Sequence, residues 1–223
     1  MTEIVALVPM RHHSQRVEGK NFRNLAGVPL FYYIIQTLQE CSEIARIVVD
    51  TDSEPVMDGL KKDFPLVTIL ERPEYLRADE MSMNEVLLYD TSQVEADFYI
   101  QTHSTNPLLK KETISKAIST FLLNFPEYDS LFSVTRIQTR LWDESGKAIN
   151  HNPAVLLQTQ DLPPVFEENS CLYIFNRNTL LTNHNRLGDR PMLFEIAASE
   201  AWDIDEILDF EIVEFLINKE KPG

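Results

Sequence analysis

Between Pro9 and Asn24 the chain gathers Arg11, Arg16, Lys20 and Arg23, interleaved with His12, His13, Ser14 and Asn21. The whole protein is strongly acidic: 20 basic against 35 acidic residues leave a net charge of −15. A surface of that sign repels nucleic-acid backbones, so nucleic acid is not an expected partner. An anionic ligand must be held by a local basic cluster or through a metal ion, and this loop is the clearest such cluster. A nucleoside triphosphate needs fixed cations and hydrogen-bond donors, which the loop supplies. On composition alone, a solvated charged loop explains the same residues equally well. Other phosphate loops are excluded by spacing. There is no Gly-x-x-x-x-Gly-Lys-Ser/Thr and no Gly-x-Gly-x-x-Gly, and the chain holds only 6 glycines.

Near the other end, Asp203 and Asp205 flank Ile204. In an extended segment these two carboxylates point to the same side. Close to a triphosphate they would make a Mg²⁺ site, neutralising the α-phosphate and the departing pyrophosphate. The competing reading is a helix cap for the segment beginning near Glu206, which needs only one of the pair. Asp50 and Asp52 form a second same-side pair, for which capping the next helix is the preferred reading. His12 and His13 are read as solvated loop histidines. Cys41 and Cys171 are read as buried, reduced thiols, since their spacing fits neither a disulfide framework nor a zinc site.

The elements that would position these groups follow from periodicity. Ile4 to Val8 is a short apolar run ended by Pro9, suited to a strand buried on both faces. Pro29 opens a helical stretch with Leu30, Tyr33, Ile34, Thr37 and Leu38 on one face. Strands are expected at Ile44 to Val49, Val67 to Leu70 and Phe98 to Gln101. Helices are expected from a cap at Ser53 or Asp52 through Leu60 and Phe64, over Asn84 to Val94, and over Glu112 to Phe125. This alternation predicts an α/β fold with a doubly wound, mostly parallel sheet, whose ligands sit at the carboxyl ends of the strands. The loops after Val8, Val49 and Ile100 should share one rim. From Ser130 to Phe175 the pattern changes: β-like pieces at Leu131 to Arg136 and Cys171 to Phe175 enclose a polar, proline-containing middle. That middle reads as a flap, a dimerisation arm or both. Helical pattern returns only at Glu206 to Ile217. The expected organisation is one domain over 1–223 with a small β-containing insertion at about 136–170. The N-terminal run lacks a basic leader and is too short to be a signal or to span a membrane, so a cytoplasmic protein is expected.

Six collinear stretches carry a resemblance. Pro9-x-Arg11, Ser14, Lys20-Asn21 and Ala26-Gly27-Val28-Pro29-Leu30 come first. Then follow Val49 to Asp52, Glu71-Arg72-Pro73 with Leu76 to Asp79, Gln101 to Leu108, Asp161 to Tyr173, and Trp202 to Asp205. Together they resemble the cytidylyltransferases that activate acidic sugars, makers of CMP-sialic acid, CMP-Kdo and related compounds. The resemblance implies a Rossmann-like nucleotidyltransferase fold, CTP as substrate, Mg²⁺ as cofactor, and a homodimer. It implies that Arg11, Ser14 and Lys20 hold the CTP phosphates, with Asn21, Arg72 and Ser82 around the cytidine. Arg11, Lys20 and Asp205 would carry catalysis, and Asp203 and Asp205 the metal.

Two departures stand out. Where the family has Ala-Arg-x-Gly-Ser-Lys, this chain has Met10 to Gln15, and Arg16 is expected to replace the missing charge with a guanidinium fork. Where the family has Arg-Arg-Gln before Leu-Pro-Pro, this chain has Gln158-Thr159-Gln160. The acceptor contacts are expected from Gln101, Ser104, Arg140 and Gln160. The implied reaction moves CMP from CTP to a hydroxyl of an acidic sugar, a nonulosonic acid, and releases pyrophosphate. The lost arginines motivate an alternative, a phosphonate or other small acidic acceptor. The altered loop motivates another, a nucleotide-binding protein without catalysis.

Overall fold

The computed structural model describes residues 2–220. Strand β1 (Ile4–Leu7) is fully buried at the centre of a sheet. It pairs in parallel with β4 (Arg46–Thr51) on one side and with β6 (Phe98–Thr102) on the other, Ala6 lying opposite Ile47 and Ile100. A small antiparallel hairpin, β2 (Asn24–Leu25) with β3 (Val28–Pro29), stands apart. The main sheet has 7 strands in the order β5-β4-β1-β6-β8-β7-β9, adding β5 (Thr68–Glu71), β7 (Ser130–Ile137), β8 (Val165–Phe175) and β9 (Pro191–Glu195). Only β8 runs against its neighbours; β9 is parallel to β7.

Alternation along β1 sorts the helices onto two faces. Ile4, Ala6 and Val8 pack with α1 (Leu30–Gln39), α2 (Glu54–Asp63) and α4 (Lys111–Asn124) through Phe31, Ile35, Leu60 and Ile118. Val5 and Leu7 point the other way, into a cluster with Leu87 of α3 (Met83–Gln93) and Leu180 of α5 (Arg177–Asn183). The expected doubly wound, mostly parallel sheet is therefore present. A third cluster joins Val17, Leu25, Leu30 and Ile204 to Phe210 and Val213 of α6 (Ile207–Glu220). Burying Val17 and Ile204 together, at roughly 1.5–3 kcal/mol of transfer free energy each, fastens the basic loop to the Asp203–Asp205 segment.

Some elements differ from the sequence expectation. β8 begins at Val165, well before Cys171, because its first half is exposed and polar and shows no apolar pattern. α5 has only 7 residues, too few for a helical period to register, and the edge strand β9 was not anticipated at all. Both cysteines are free and buried. Among the described residues no helix is long and apolar enough to cross a membrane.

Candidate active site

A cavity of about 410 Å³ opens at the carboxyl ends of the parallel strands. Its walls come from the loop after β1, the segment after β5, the start of α3, the loop after β6, and the Asp203–Asp205 segment. Ile204 explains the last contribution. Its side chain is fully buried in the third core cluster, so the flanking carboxylates turn toward the cavity.

Cations from the loop meet these carboxylates. Lys20 Nζ donates to Asp205 Oδ1 at 3.0 Å and to the Ile204 carbonyl at 2.8 Å, with its side chain only 12% exposed. Arg16 Nη2 lies 2.7 Å from the same Asp205 oxygen. Arg11 Nη1 donates to Asp79 Oδ1 at 2.7 Å, and Gln15 Nε2 donates to Asp79 Oδ2 at 3.1 Å. The Arg16 and Arg11 pairs are substantially exposed and contribute little net stability, so their guanidiniums can exchange a carboxylate for a phosphate at small cost. Burial alone would raise the Asp205 carboxyl, but Lys20 and Arg16 together outweigh it and hold its pKa below the ordinary value. Burial raises the Asp203 pKa, opposed by a hydrogen bond with Thr105 and reinforced by the charge on Asp205.

The helix-cap alternative for this pair fails on geometry. Asp209 Oδ2 accepts from the backbone N–H groups of Asp205 at 2.8 Å and Glu206 at 2.7 Å, so the cap is supplied from within α6. The cap reading of Asp50 and Asp52 is likewise overturned. Asp52 Oδ1 accepts the backbone N–H of His12 at 2.6 Å, and Ser53, at the N-cap of α2, makes no side-chain cap bond. Ser53 Oγ instead lies 3.0 Å from His12 Nδ1, and the His12 ring stacks on Phe22 at 5.4 Å. His12 is thus a strut for the loop, while His13 faces the cavity.

Gly19 sets the path into Lys20. Its φ of +64° lies in the left-handed region, and a Cβ there would come within 2.7 Å of the Phe22 ring. We expect Gly19→Ala to cost about 1–2 kcal/mol and to lower the melting temperature by roughly 2–8 °C. An unchanged melting curve would contradict this.

Asn21 ties the loop to β6: its Nδ2 donates to the Arg11 carbonyl at 2.8 Å, and its Oδ1 accepts from Ser104 Oγ at 2.6 Å. Arg72 reaches the cavity from beneath. It is 5% exposed, and its Nε donates to Asp50 Oδ1. Its Nη2, Asp50 Oδ2 and both oxygens of Asp90 on α3 have no hydrogen-bond partner while both acids are ionised. A proton on Asp90 resolves part of this by letting Asp90 donate to Asp50. Burial, helped by the Asp50 charge, pushes the Asp90 pKa up to about 9. A folded-state pKa raised this far gives a contribution fully present below the ordinary value of 3.8 and lost as pH rises through about 9. Asp90→Asn mimics the protonated form. It should flatten the fall in stability between about pH 6 and about pH 8 in urea denaturation. An unaltered slope would show that Asp90 is not the titrating group.

His103 also lines the cavity. Burial, then the nearby charges of Arg186 and Lys20, lower its pKa to about 4, so it is neutral near pH 7 and offers no fixed cation.

Of the residues expected from sequence, Arg11, Ser14, Arg16, Lys20, Asn21, Arg72, Ser104, Asp203 and Asp205 line this one cavity. Ser82 does not; its Oγ accepts from Glu85 N at 3.3 Å as the N-cap of α3. Gln101 lies behind the wall, fully buried at the end of β6. Arg140 and Gln160 both sit on the segment between β7 and β8 and do not line the cavity of their own chain. Arg140 is used to hold the Leu157 carbonyl, and Gln160 Nε2 to hold Gln158 Oε1. Sequence reasoning gave no role to Asp79, which lies in the Leu76–Asp79 motif. It missed Arg186 altogether, in a loop without a motif.

Comparison with known proteins places this geometry. The sequence profile of a family described as cytidylyltransferase matches residues 5–221. The chain is 30% identical to post-translational flagellin modification protein B of Campylobacter coli, over 99% of this chain and 97% of that one. It is 28% identical to the CMP-N,N'-diacetyllegionaminic acid synthase of Campylobacter jejuni, over 98% and 96%. Its fold matches that of a CMP:2-keto-3-deoxy-manno-octonic acid synthetase complexed with CTP, with a TM-score of 0.76 and 17% identity over 99% of this chain and all of the other. The profile match and the full-length relatives together establish that this chain belongs to the cytidylyltransferase family.

Proposed function

We propose that this protein transfers CMP from CTP to a hydroxyl of an acidic sugar of the nonulosonic class and releases pyrophosphate. The observation that carries the reading is the gathering of Arg11, Arg16, Lys20, Asp203 and Asp205 around one cavity, with Arg16 and Lys20 both paired to Asp205. Binding alone does not require a carboxylate pair beside a triphosphate cradle. The Campylobacter jejuni relative, named for CMP-N,N'-diacetyllegionaminic acid, supports an acidic sugar as acceptor.

In this reading Arg11, Ser14, Arg16 and Lys20 bind the triphosphate, while Asn21 and Arg72 face the cytidine. The donor set fits a hard divalent cation. Among the described residues no group of three or more His, Cys, Asp or Glu side chains could hold a metal, so Asp203 and Asp205 would need further ligands from outside the protein. Mg²⁺ suits one or two carboxylates completed by substrate phosphates and water. Asp203 and Asp205 would hold it, and when bound it would neutralise charge on the α-phosphate and the departing pyrophosphate. A triphosphate drawing Arg16 and Lys20 toward its own oxygens releases Asp205 for this role. The acceptor hydroxyl attacks the α-phosphorus in line, and the chain contributes positioning and charge rather than a covalent intermediate.

The segment between β7 and β8 presents Trp142, Ile149, Leu156 and Leu157 to solvent, Leu156 at 90% exposure. These support a homodimer in which a second copy covers the arm, to be tested by sedimentation. The test of the reading is pyrophosphate release from CTP and Mg²⁺ with a panel of nonulosonic acids, with phosphonates as a second arm. Release with the sugars supports it; release only with phosphonates replaces the acceptor class; none with any acceptor, despite CTP binding, rejects transfer.

A further inference from the structure

Arg186 lies in the loop between α5 and β9, outside every motif of the chain, yet it is drawn inward. Its Nη1 donates to Gln101 Oε1 at 2.5 Å, and its guanidinium carbon sits 3.5 Å from the centre of the Tyr173 ring. Its backbone N–H is held by Asn84 Oδ1 at 3.3 Å. These partners are a neutral amide and an aromatic face. The nearby carboxylate, Glu168, is taken by the Tyr173 hydroxyl, and among the described residues Arg186 forms no ion pair. A largely desolvated guanidinium that feels the Glu168 charge but forms no ion pair with it is costly and can take a further anion.

One further buried atom near it lacks a partner, His103 Nε2. His103 feels the charges of both Arg186 and Lys20. His103 therefore stands between the triphosphate cluster and Arg186. The chain thus sets one cationic group beyond the nucleotide cradle, behind the His103 wall of the cavity rather than in its lining. Its planar fork can take a carboxylate through two parallel hydrogen bonds.

We infer that Arg186, stacked on Tyr173 and oriented by Gln101, binds the carboxylate of the acceptor and so sets specificity for acidic acceptors. The inference rests on the transfer reading above and supplies the charge that Gln158-Thr159-Gln160 do not. It makes Gln101 a positioning residue for Arg186.

The test compares wild type, Arg186→Met and Arg186→Lys. The probes are N-acetylneuraminic acid and N,N'-diacetyllegionaminic acid, each beside its carboxamide, with CTP and Mg²⁺ present. Steady-state kinetics and melting temperature are both read. Wild type should prefer each acid over its amide. Arg186→Met should raise the acceptor KM roughly 10- to 100-fold, leave the CTP KM unchanged and abolish the preference, while Arg186→Lys retains part of it. No acid-over-amide preference in wild type, by turnover or by melting shift, overturns the inference. So does a preference that survives in Arg186→Met, or a Met variant whose defect is in the CTP KM. Acid-dependent stabilisation that requires Arg186, without pyrophosphate release, would uphold the site while rejecting the transfer reading.

Discussion

Replacing Asp205 with Asn should lower kcat on the order of 10³-fold while leaving the fold intact. Asp205 is the one carboxylate in the cavity that contacts two cations, Arg16 at 2.7 Å and Lys20 at 3.0 Å, and its pKa is held low enough to keep it ionised across the physiological range. Asn keeps the shape and loses the charge. CTP binding in the absence of metal should hold or tighten, because a negative charge beside the triphosphate has been removed. That sign separates a metal-binding role from a structural one. If Asp205 served only to brace Lys20 and Arg16, metal-free CTP affinity would fall and kcat would change little. Stopped-flow pyrophosphate release and CTP titration, with and without Mg²⁺, distinguish the outcomes.

Arg72→Met should carry the largest stability loss, about 3–5 kcal/mol, and a fall in melting temperature on the order of 10 °C. Arg72 is 5% exposed and is the cation facing two carboxylates that are 1% exposed, Asp50 and Asp90. Without it their burial is opposed by nothing. The Asp50 pKa, already raised by burial despite Arg72, would rise further. The loss should therefore be greatest at alkaline pH and shrink as the solution is acidified, since protonating the acids removes the uncompensated charge. Combining Arg72→Met with Asp50→Asn should recover much of the stability but not CTP selectivity. Denaturation at several pH values checks this. A uniform loss at all pH values would mean that packing, rather than charge, dominates.

Much of the frame was legible because apolar runs with strand and helix periods dictate it. Ile4 to Val8 alternates between two helix layers, and the doubly wound sheet follows. The inward-facing Asp203–Asp205 pair was legible for a related reason: an apolar residue between two aspartates must bury itself, and Ile204 does so in the cluster that holds Val17. The rest was hidden by long-range partners. The loop after Val49 was expected at the cavity rim, yet Asp50 turns inward to Arg72 and Asp52 braces His12. No local pattern encodes a pairing of Asp50, on β4, with Asp90 on α3. Arg140 was chosen by proximity in sequence and Gln160 by its match to the family's Arg-Arg-Gln run, but the segment between β7 and β8 keeps both out of the lining of their own chain's cavity. Arg186 was invisible because α5 and β9, which bring its loop home, are short or at the sheet edge.

The central claim is that the α-phosphorus of CTP moves to an acidic sugar. Incubating the protein with α-labelled CTP, Mg²⁺ and nonulosonic acids, then identifying the labelled product by mass, tests it most directly. The label should appear in a CMP-sugar formed one-for-one with pyrophosphate. Label that stays in CTP, or emerges as free CMP or CDP with every acid, would contradict it.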